Sequence, residues 1–188
     1  MPVGERKSGI PLSVETPAPV RTTHGWFALI RRASAVASIA PIVESSAVEF
    51  GFSTELKVRF AETDAQGIAH HAVYLVWFEV ARIEYLARFR GGYSELQAEG
   101  IEALTLDASV TFRSPARFDD RLVVSARCSE VRGARFRFDY RVERDGELVA
   151  TGATGHACAD AQTLRPTRVP QWLVEEIAKA EPTAPTSS

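Results

Sequence analysis

The chain has 188 residues, of which 45% are hydrophobic and 24% charged, and a formal net charge of −2 at pH 7. This composition supports a buried core and excludes an intrinsically disordered tail protein. The near-neutral charge provides no general attraction to nucleic acid or to an anionic membrane, and no run approaches the ~18 apolar residues of a membrane-spanning helix. We therefore expect a globular protein with neither nucleic acid nor a membrane as its partner.

The two cysteines, Cys128 and Cys158, are too few and too far apart in the sequence to form a disulfide framework. They predict a reducing compartment in which both thiols are buried as small hydrophobic side chains. On this basis the protein is expected to be cytoplasmic.

Residues 1–50 contain several prolines and show no sustained strand or helix periodicity. The favoured interpretation is a poorly ordered N-terminal extension. A cleaved organelle-targeting segment is an alternative, because residues 16–43 contain arginines and no acidic residue. Sequence upstream of a later start site is another. Residues 181–188, rich in Pro, Ser and Thr, predict a mobile tail, which leaves residues 51–180 as one folded domain.

The folded part is predicted to begin with a half-buried strand, since Leu56, Val58 and Phe60 alternate with charged residues. Residues 71–90 then show helical spacing, and Gly91-Gly92 is a stop signal. The apolar stripe of this helix consists of Tyr74, Phe78, Ala81, Tyr85 and Phe89, widened by Val73 and Trp77. A helix that is apolar around this much of its circumference is predicted to be largely buried.

Four further runs alternate between apolar and polar residues and predict four sequential antiparallel strands, at about residues 104–112, 122–128, 136–142 and 148–160. Asp145-Gly146 fits a tight hairpin turn. Gly152 and Gly155 predict the close approach of another backbone or of a ligand to the last strand. Pro170 opens a final amphipathic helix. This order of elements predicts an α+β fold in which an antiparallel sheet wraps around one long central helix, with exposed edges that favour dimerisation.

The loop before the long helix carries the residues best suited to chemistry. Asp64 lies just ahead of a helix N-terminus, whose free N–H groups can stabilise an oxyanion while a carboxylate attacks or activates water. Gly67 permits close passage of the backbone past a ligand. By spacing alone, Asp64 and Gly67 are also ordinary turn and cap residues. A metal pair of His70 and His71 with a loop carboxylate is disfavoured, because adjacent side chains at a helix start point in different directions.

Residues 58–86 resemble the signature of the hot-dog-fold acyl-CoA thioesterases. The resemblance is closest to the 4-hydroxybenzoyl-CoA thioesterase branch and to the acyl-CoA thioester hydrolases associated with the Tol–Pal system. The matching positions are Glu62, Asp64, Gly67, His71, Tyr74, the run Trp77-Phe78-Glu79, and Ala81-Arg82. The order of the predicted elements is also that of the hot-dog fold.

The resemblance implies hydrolysis of an acyl-CoA thioester to the free acid and coenzyme A, without a cofactor or metal. It makes Asp64 the catalytic carboxylate, as nucleophile or general base. The backbone N–H of His71 becomes the oxyanion donor, and Tyr74 lines the acyl pocket or packs beneath it. Glu79 is interpreted as structural, paired with Arg82 or with Arg88 on the neighbouring turn. A homodimer or homotetramer with the site at a subunit interface is implied as well.

Two alternatives stay open at this point: a thioesterase acting on an acyl carrier protein, and a non-catalytic hot-dog protein that binds an acyl ligand. Residues 1–50 show no helix-turn-helix pattern, which argues against a DNA-binding sensor of this fold. Coenzyme A phosphates would need arginines. The candidates, which no pattern distinguishes, are Arg113, Arg117, Arg165 and Arg168.

Overall fold

The computed structural model describes residues 49–181, and in this part of the chain five strands form one antiparallel sheet, accompanied by three α-helices. The elements in order are β1 (Ser53–Lys57), α1 (Val73–Ala87), α2 (Tyr93–Ala98), β2 (Ile101–Phe112), β3 (Arg121–Arg132), β4 (Arg135–Arg144), β5 (Glu147–Asp160) and α3 (Gln171–Ala180). The extension and tail predicted for residues 1–50 and 181–188 lie outside this part, apart from three residues at its ends.

The strand order in the sheet is β1-β3-β4-β5-β2. Strands β3, β4 and β5 are sequential antiparallel neighbours, as predicted, and Asp145 and Gly146 form the last hairpin turn with φ values of 51° and 83°. The prediction that β2 also neighbours β3 is wrong. Because β1 occupies that edge of β3, β2 pairs with β5 at the opposite edge, and residues 113–120 form a crossover between β2 and β3.

Strand β1 is shorter than predicted. It ends at Lys57, and the buried Val58 is held by backbone hydrogen bonds to Asp119 and Asp120 of the crossover. The chain then enters a short 3₁₀ turn over Phe60–Glu62. This turn leaves the Phe60 side chain 77% exposed, so its predicted place on a buried strand face is wrong.

Helix α1 lies against the sheet through the predicted apolar stripe. The side chains of Tyr74, Phe78, Ala81, Tyr85 and Phe89 are all buried. Phe78 stacks on Tyr140 of β4 with ring centroids 4.3 Å apart, and Tyr85 meets Phe138 edge-on at 5.0 Å. Aromatic pairs of this kind add about 0.5–1.5 kcal/mol each beyond the burial of their area. The predicted α+β architecture, with the sheet packed against α1, is therefore confirmed.

Glycines in β5 make room for other elements. A Cβ atom on Gly152 would clash with the Phe78 ring and with the backbone oxygen of Ser109. At Gly155 a Cβ would clash with the carboxylate of Asp107 on β2. The predicted close approach to β5 is therefore made chiefly by side chains of α1 and β2.

Arg82 is buried, although its position in the sequence predicts a place off the apolar stripe. Its side chain is 6% exposed, and its Nη2 lies 3.4 Å from Oε1 of Glu79, which confirms the expected pairing. Its Nη1 has no hydrogen-bond partner among residues 49–181. Helical periodicity predicts the side of the helix on which a residue lies, but it does not predict how deeply the side chain of Arg82 is buried.

A buried polar chain links β4 to β5, and the sequence patterns did not reveal it. Tyr140 Oη and Thr154 Oγ1 are 2.8 Å apart, and Thr154 Oγ1 lies 2.7 Å from Nε2 of His156. Burial, together with the nearby Arg82 guanidinium, lowers the pKa of His156 to about 3. The imidazole is therefore neutral at physiological pH and stacks on Phe136.

The predicted apolar face of β2 is largely exposed in the single chain. Leu104, Leu106 and Phe112 are all exposed, because β2 is an edge strand with an irregular register between Thr105 and Asp107. The outer face of α1 is also more exposed than predicted. Its exposed apolar residues are Leu75, Val76 and Val80. The protomer therefore presents an open sheet edge beside an apolar helix face.

The C-terminal helix and the two cysteines agree with the predictions made from the sequence. Pro170 is the N-cap of α3, which buries Leu173 and Ile177 against the core, whereas Ala178 is exposed. Cys128 and Cys158 are free and buried, as predicted. Burial raises their thiol pKa values, to about 12 for Cys128 and about 11 for Cys158, so neither is a ready nucleophile.

The Phe60–Glu62 turn is held by a buried carboxylate. Glu62 accepts hydrogen bonds from Arg59 Nη2 at 2.6 Å and Nε at 2.9 Å, and Trp77 Nε1 lies 3.4 Å away. Burial by itself would raise the pKa of Glu62, but these donors hold it below its usual value. The ionised carboxylate thus joins the turn to helix α1.

We expect Gly152→Ala to lower the free energy of unfolding by about 1–3 kcal/mol, because its methyl group overpacks the Phe78 contact. Denaturant unfolding measures this, with Gly51→Ala as the control, since a Cβ there meets only the Ala180 oxygen at 3.6 Å. Phe78→Leu should lower the free energy of unfolding by less in the Gly152→Ala variant than in the natural chain. Additive losses would show that the two sites do not compete for space.

We expect Glu62→Gln to destabilise the protein by about 1–3 kcal/mol at pH 7, because the neutral amide loses the ion pair with Arg59 and its NH₂ group cannot accept the Arg59 backbone N–H that Oε2 accepts. A carboxyl group whose pKa is lowered by folding stabilises above its unfolded pKa and loses that contribution as the pH falls. The stability difference should therefore shrink below about pH 4.5.

The matched control for this pH dependence is Glu176→Gln. Glu176 forms a comparable 2.7 Å ion pair with Lys179 on a more exposed helix surface, worth about 0–1 kcal/mol. Equal, pH-independent losses in both variants would contradict the anchoring role of Glu62.

Candidate active site

The loop that follows β1 is closed on itself by backbone hydrogen bonds. The Asp64 N–H donates to the Ile68 oxygen, and the Gly67 N–H donates to the Asp64 oxygen, each at 2.9 Å. The Ala69 N–H donates at 2.8 Å to the oxygen of Ala116 in the crossover. These bonds fix the loop between the start of α1 and residues 113–120.

Asp64 is half-buried, and one of its carboxylate oxygens organises the loop. Its Oδ1 accepts a hydrogen bond from the Gln66 N–H at 2.8 Å, which is the Asx-turn geometry of an aspartate in a turn. Its Oδ2 accepts no hydrogen bond from residues 49–181. The turn role expected from spacing is therefore present, and it leaves one oxygen available for other contacts.

A cavity of about 410 Å³ lies beside this loop. It brings together Asp64, His71 and Tyr74, three of the four residues singled out from the sequence. The remaining lining residues come from the loop and from the end of β2: Gln66, Ile68, Ala69, Phe112, Arg113, Ser114 and Pro115. The volume lies in the range of small-molecule sites. The contribution of residues 112–115 depends on the pairing of β2 with β5, which no local motif indicates.

Helix α1 begins beside the cavity without an oxygen-bearing cap. Ala72 is the N-cap residue, and its N–H donates to Nδ1 of His70 at 3.2 Å. The N–H of Val73 donates to the His70 oxygen at 2.9 Å. By contrast, the N–H of His71 makes no hydrogen bond with any residue of the described part of the chain. His71, which directly precedes the N-cap and lines the cavity, therefore offers a free backbone donor beside the start of α1.

Tyr74 forms the inner wall of the cavity. Its ring is buried and contacts Trp77 at 4.6 Å and Phe112 edge-on at 4.9 Å between centroids. Burial raises the pKa of its hydroxyl, which keeps the phenol protonated. Of the two roles expected for Tyr74, packing at the base of the cavity is the one that these contacts show.

Gly67 lies in the loop but does not line the cavity. Its φ of 72° is in the left-handed region that favours glycine, and a Cβ there would meet nothing within 4 Å. The turn accounts for glycine at this position. Its predicted passage close to a ligand stays a prediction.

Two of the four candidate phosphate-binding arginines lie near the cavity. Arg113 lines it, and Arg117 Nη1 donates to the Gly67 oxygen at 3.4 Å. Arg165 and Arg168 follow β5, whose last residue pairs with Ile101 at the opposite end of β2 from Phe112. Within one protomer these two are therefore remote from the cavity.

Two of the donors suggested for a metal are otherwise engaged. Glu62 is bound by Arg59, and His70 accepts from the Ala72 N–H. Residues 49–181 contain no group of three or more His, Cys, Asp or Glu side chains placed to hold a metal ion. In the same range, no helix has the length and apolar character needed to span a membrane.

Comparison with known proteins connects this geometry to a family. Acyl-CoA thioesterase YbgC of Haemophilus influenzae is 33% identical over 126 residues, covering 64% of this chain and 90% of its own. The crystal structure of protein TT1821 from Thermus thermophilus is 37% identical, with a TM-score of 0.62, covering 73% of this chain and all of its own. A second Thermus thermophilus structure, a thioesterase complexed with coenzyme A and Zn, is 25% identical, with a TM-score of 0.62 and coverages of 71% and 96%.

The family model of the thioesterase-like superfamily matches residues 58–177, which include the closed loop, the cavity and the whole sheet except β1. This match covers more than half of the chain, and the similar proteins share both its sequence and its fold. The chain belongs to the thioesterase-like superfamily.

Proposed function

We propose that this protein is an acyl-CoA thioesterase that hydrolyses an acyl-CoA thioester to the free acid and coenzyme A in the cytoplasm. The observation that carries the proposal is the presence, in one cavity, of the Asp64 carboxylate and of His71, whose free N–H lies directly before the N-cap of α1. Membership of the superfamily and the similarity to an acyl-CoA thioesterase support it. The proposed reaction needs no metal ion and no cofactor.

Asp64 can act in either of two ways. As a nucleophile, its Oδ2 attacks the thioester carbonyl carbon, the C–S bond breaks, and water then hydrolyses the resulting mixed anhydride. As a general base, it takes a proton from a water molecule that attacks the same carbon. Both routes release the acid and the thiolate of coenzyme A, which takes up a proton. A half-buried carboxylate with one free oxygen supports either route.

The His71 N–H is proposed to stabilise the negative charge that develops on the carbonyl oxygen. One such donor contributes about 3–4 kcal/mol to lowering a barrier of this type. Because the donor is a backbone group, its position depends on the start of α1 rather than on the imidazole. The acyl group is proposed to lie against Tyr74 and Phe112, which form the aromatic wall.

We also propose a homo-oligomer in which the cavity lies at a subunit interface. Strand β2 is an edge strand with unpaired backbone groups along its outer side, and it carries exposed Leu104 and Leu106. An edge of this kind pairs readily with a second copy. Phe112 belongs to both the edge and the cavity wall, so pairing along β2 would complete that wall.

We expect Asp64→Asn to reduce kcat by about 10²–10⁴-fold, because the amide is neither a nucleophile nor a base. Release of free thiol from a panel of aromatic, short-chain and long-chain acyl-CoA substrates measures the activity and identifies the preferred acyl group. Asp145→Asn is the control, since Asn-Gly suits the β4–β5 hairpin turn equally well. Turnover by Asp64→Asn equal to that of the natural chain would refute the proposed role.

We expect the double variant Leu104→Asp/Leu106→Asp to weaken self-association by about 100-fold or more, because like charges would face each other across the paired edges. Analytical ultracentrifugation measures the assembly, and thiol release measures the activity of the dissociated form. The control is Leu164→Asp, an exposed leucine in the loop after β5. An unchanged mass would rule out the β2 edge as the interface.

A further inference from the structure

Two phenylalanine rings lie on the surface next to the candidate site. Phe60 is 77% exposed and Phe118 is 54% exposed, and their rings meet edge-on with centroids 5.7 Å apart. They come from different segments, the 3₁₀ turn before Asp64 and the β2–β3 crossover. Neither ring belongs to the core of the protomer. We refer to Phe60 and Phe118 as the surface aromatic pair.

The surface aromatic pair is joined to the cavity through short, hydrogen-bonded segments. Phe118 follows the cavity-lining residue Pro115 by three positions, a reach of about 10 Å at most. The intervening residues are bonded to the closed loop, through Ala116 to the Ala69 N–H and through Arg117 to the Gly67 oxygen. The pair is therefore a rigid surface feature outside the cavity and close to it.

Two arginines close to Phe118 in the sequence are available to bind an anion. Lys57 forms an ion pair with Asp119 at 2.6 Å, and Arg59 forms one with Glu62. Arg117 and Arg121, which flank Phe118 in the sequence, have no carboxylate within ion-pair distance among residues 49–181. Guanidinium groups without a carboxylate partner are suited to phosphate oxygens.

From this arrangement we propose that the surface aromatic pair is the nucleotide subsite for coenzyme A. The adenine ring stacks on the exposed faces of Phe60 and Phe118, while Arg117 and Arg121 face the phosphates. Every purine has a planar face that stacks on aromatic side chains, and the flexible pantetheine arm reaches from there to Asp64. This inference rests on the proposed function. It assigns the carrier as free coenzyme A rather than a carrier protein, whose pantetheine has no adenine.

The test compares two substrates that differ only in the nucleotide: the best acyl-CoA of the panel and the corresponding S-acyl-pantetheine. For Phe118→Ala and Phe60→Ala, we expect KM for the acyl-CoA to rise about tenfold with kcat unchanged. KM for the acyl-pantetheine should not change. Phe118→Tyr should retain the natural KM because it keeps the stacking face. Val80→Ala, which removes an exposed apolar side chain from helix α1, is the control.

Binding of free coenzyme A and of free pantetheine, measured by calorimetry, provides a readout that is independent of turnover. The proposal requires the alanine variants to bind coenzyme A about tenfold more weakly and pantetheine as before. Equal KM changes for both substrates would overturn it, because the loop geometry rather than stacking would then be altered. Unchanged KM with Asp64-dependent hydrolysis would overturn the subsite and leave the proposed function standing. Absence of any thioester hydrolysis by the natural chain would overturn both.

Discussion

The contact of helix α1 with the sheet determines where this helix lies beside the cavity. Phe78 fills the space that Gly152 leaves open and stacks on Tyr140, so the helix is held at one depth on the sheet. Tyr85 and Phe138 repeat this aromatic contact farther along. Because a helix is a rigid rod, the depth set at these points also sets where α1 begins, with Ala72 as its N-cap. The proposed oxyanion donor is the N–H of His71, the residue directly before this N-cap, so core packing two turns away influences its position.

The carboxylate side of the site depends on a separate set of restraints. Glu62 ties the turn before Asp64 to Arg59 and Trp77, and the Ala69–Ala116 hydrogen bond ties the loop to the crossover. Arg144 in turn holds the crossover, through hydrogen bonds to the Pro115 oxygen and the Asp120 carboxylate. Hence the proposed acid and the proposed oxyanion donor are supported by different elements, and the distance between them depends on both sets of contacts.

Much of the fold follows from local patterns in the sequence. The stripe from Tyr74 to Phe89, the alternation in β3 and β4, and the Asp145-Gly146 turn depend on near neighbours, and all three are found in the structure. The position of β2 does not follow from them, because both strand order and edge exposure depend on which partner each edge meets. The exposure of Phe60 and the burial of Arg82 are likewise consequences of tertiary packing, which alternation and helical spacing do not encode.

The candidate site shows the same division. The motif identified Asp64, His71 and Tyr74, which the structure brings to one cavity, because they lie within one short stretch. Apart from Arg113, which was a candidate only as an arginine, residues 112–115 match no motif, because they reach the cavity only through the β2–β5 ladder. No motif distinguishes Phe60 and Phe118, because they form a pair only where two segments that are far apart in the sequence meet in the fold.

The β2–β3 crossover has an evolutionary consequence. It supplies one wall of the cavity, yet it lies outside the strand ladders and buries only Ala116 among residues 113–120. Substitutions there can reshape the wall while the aromatic layers between helix and sheet stay intact. Proteins that evolve from this fold can therefore change the acid that they release while they retain the same stable core.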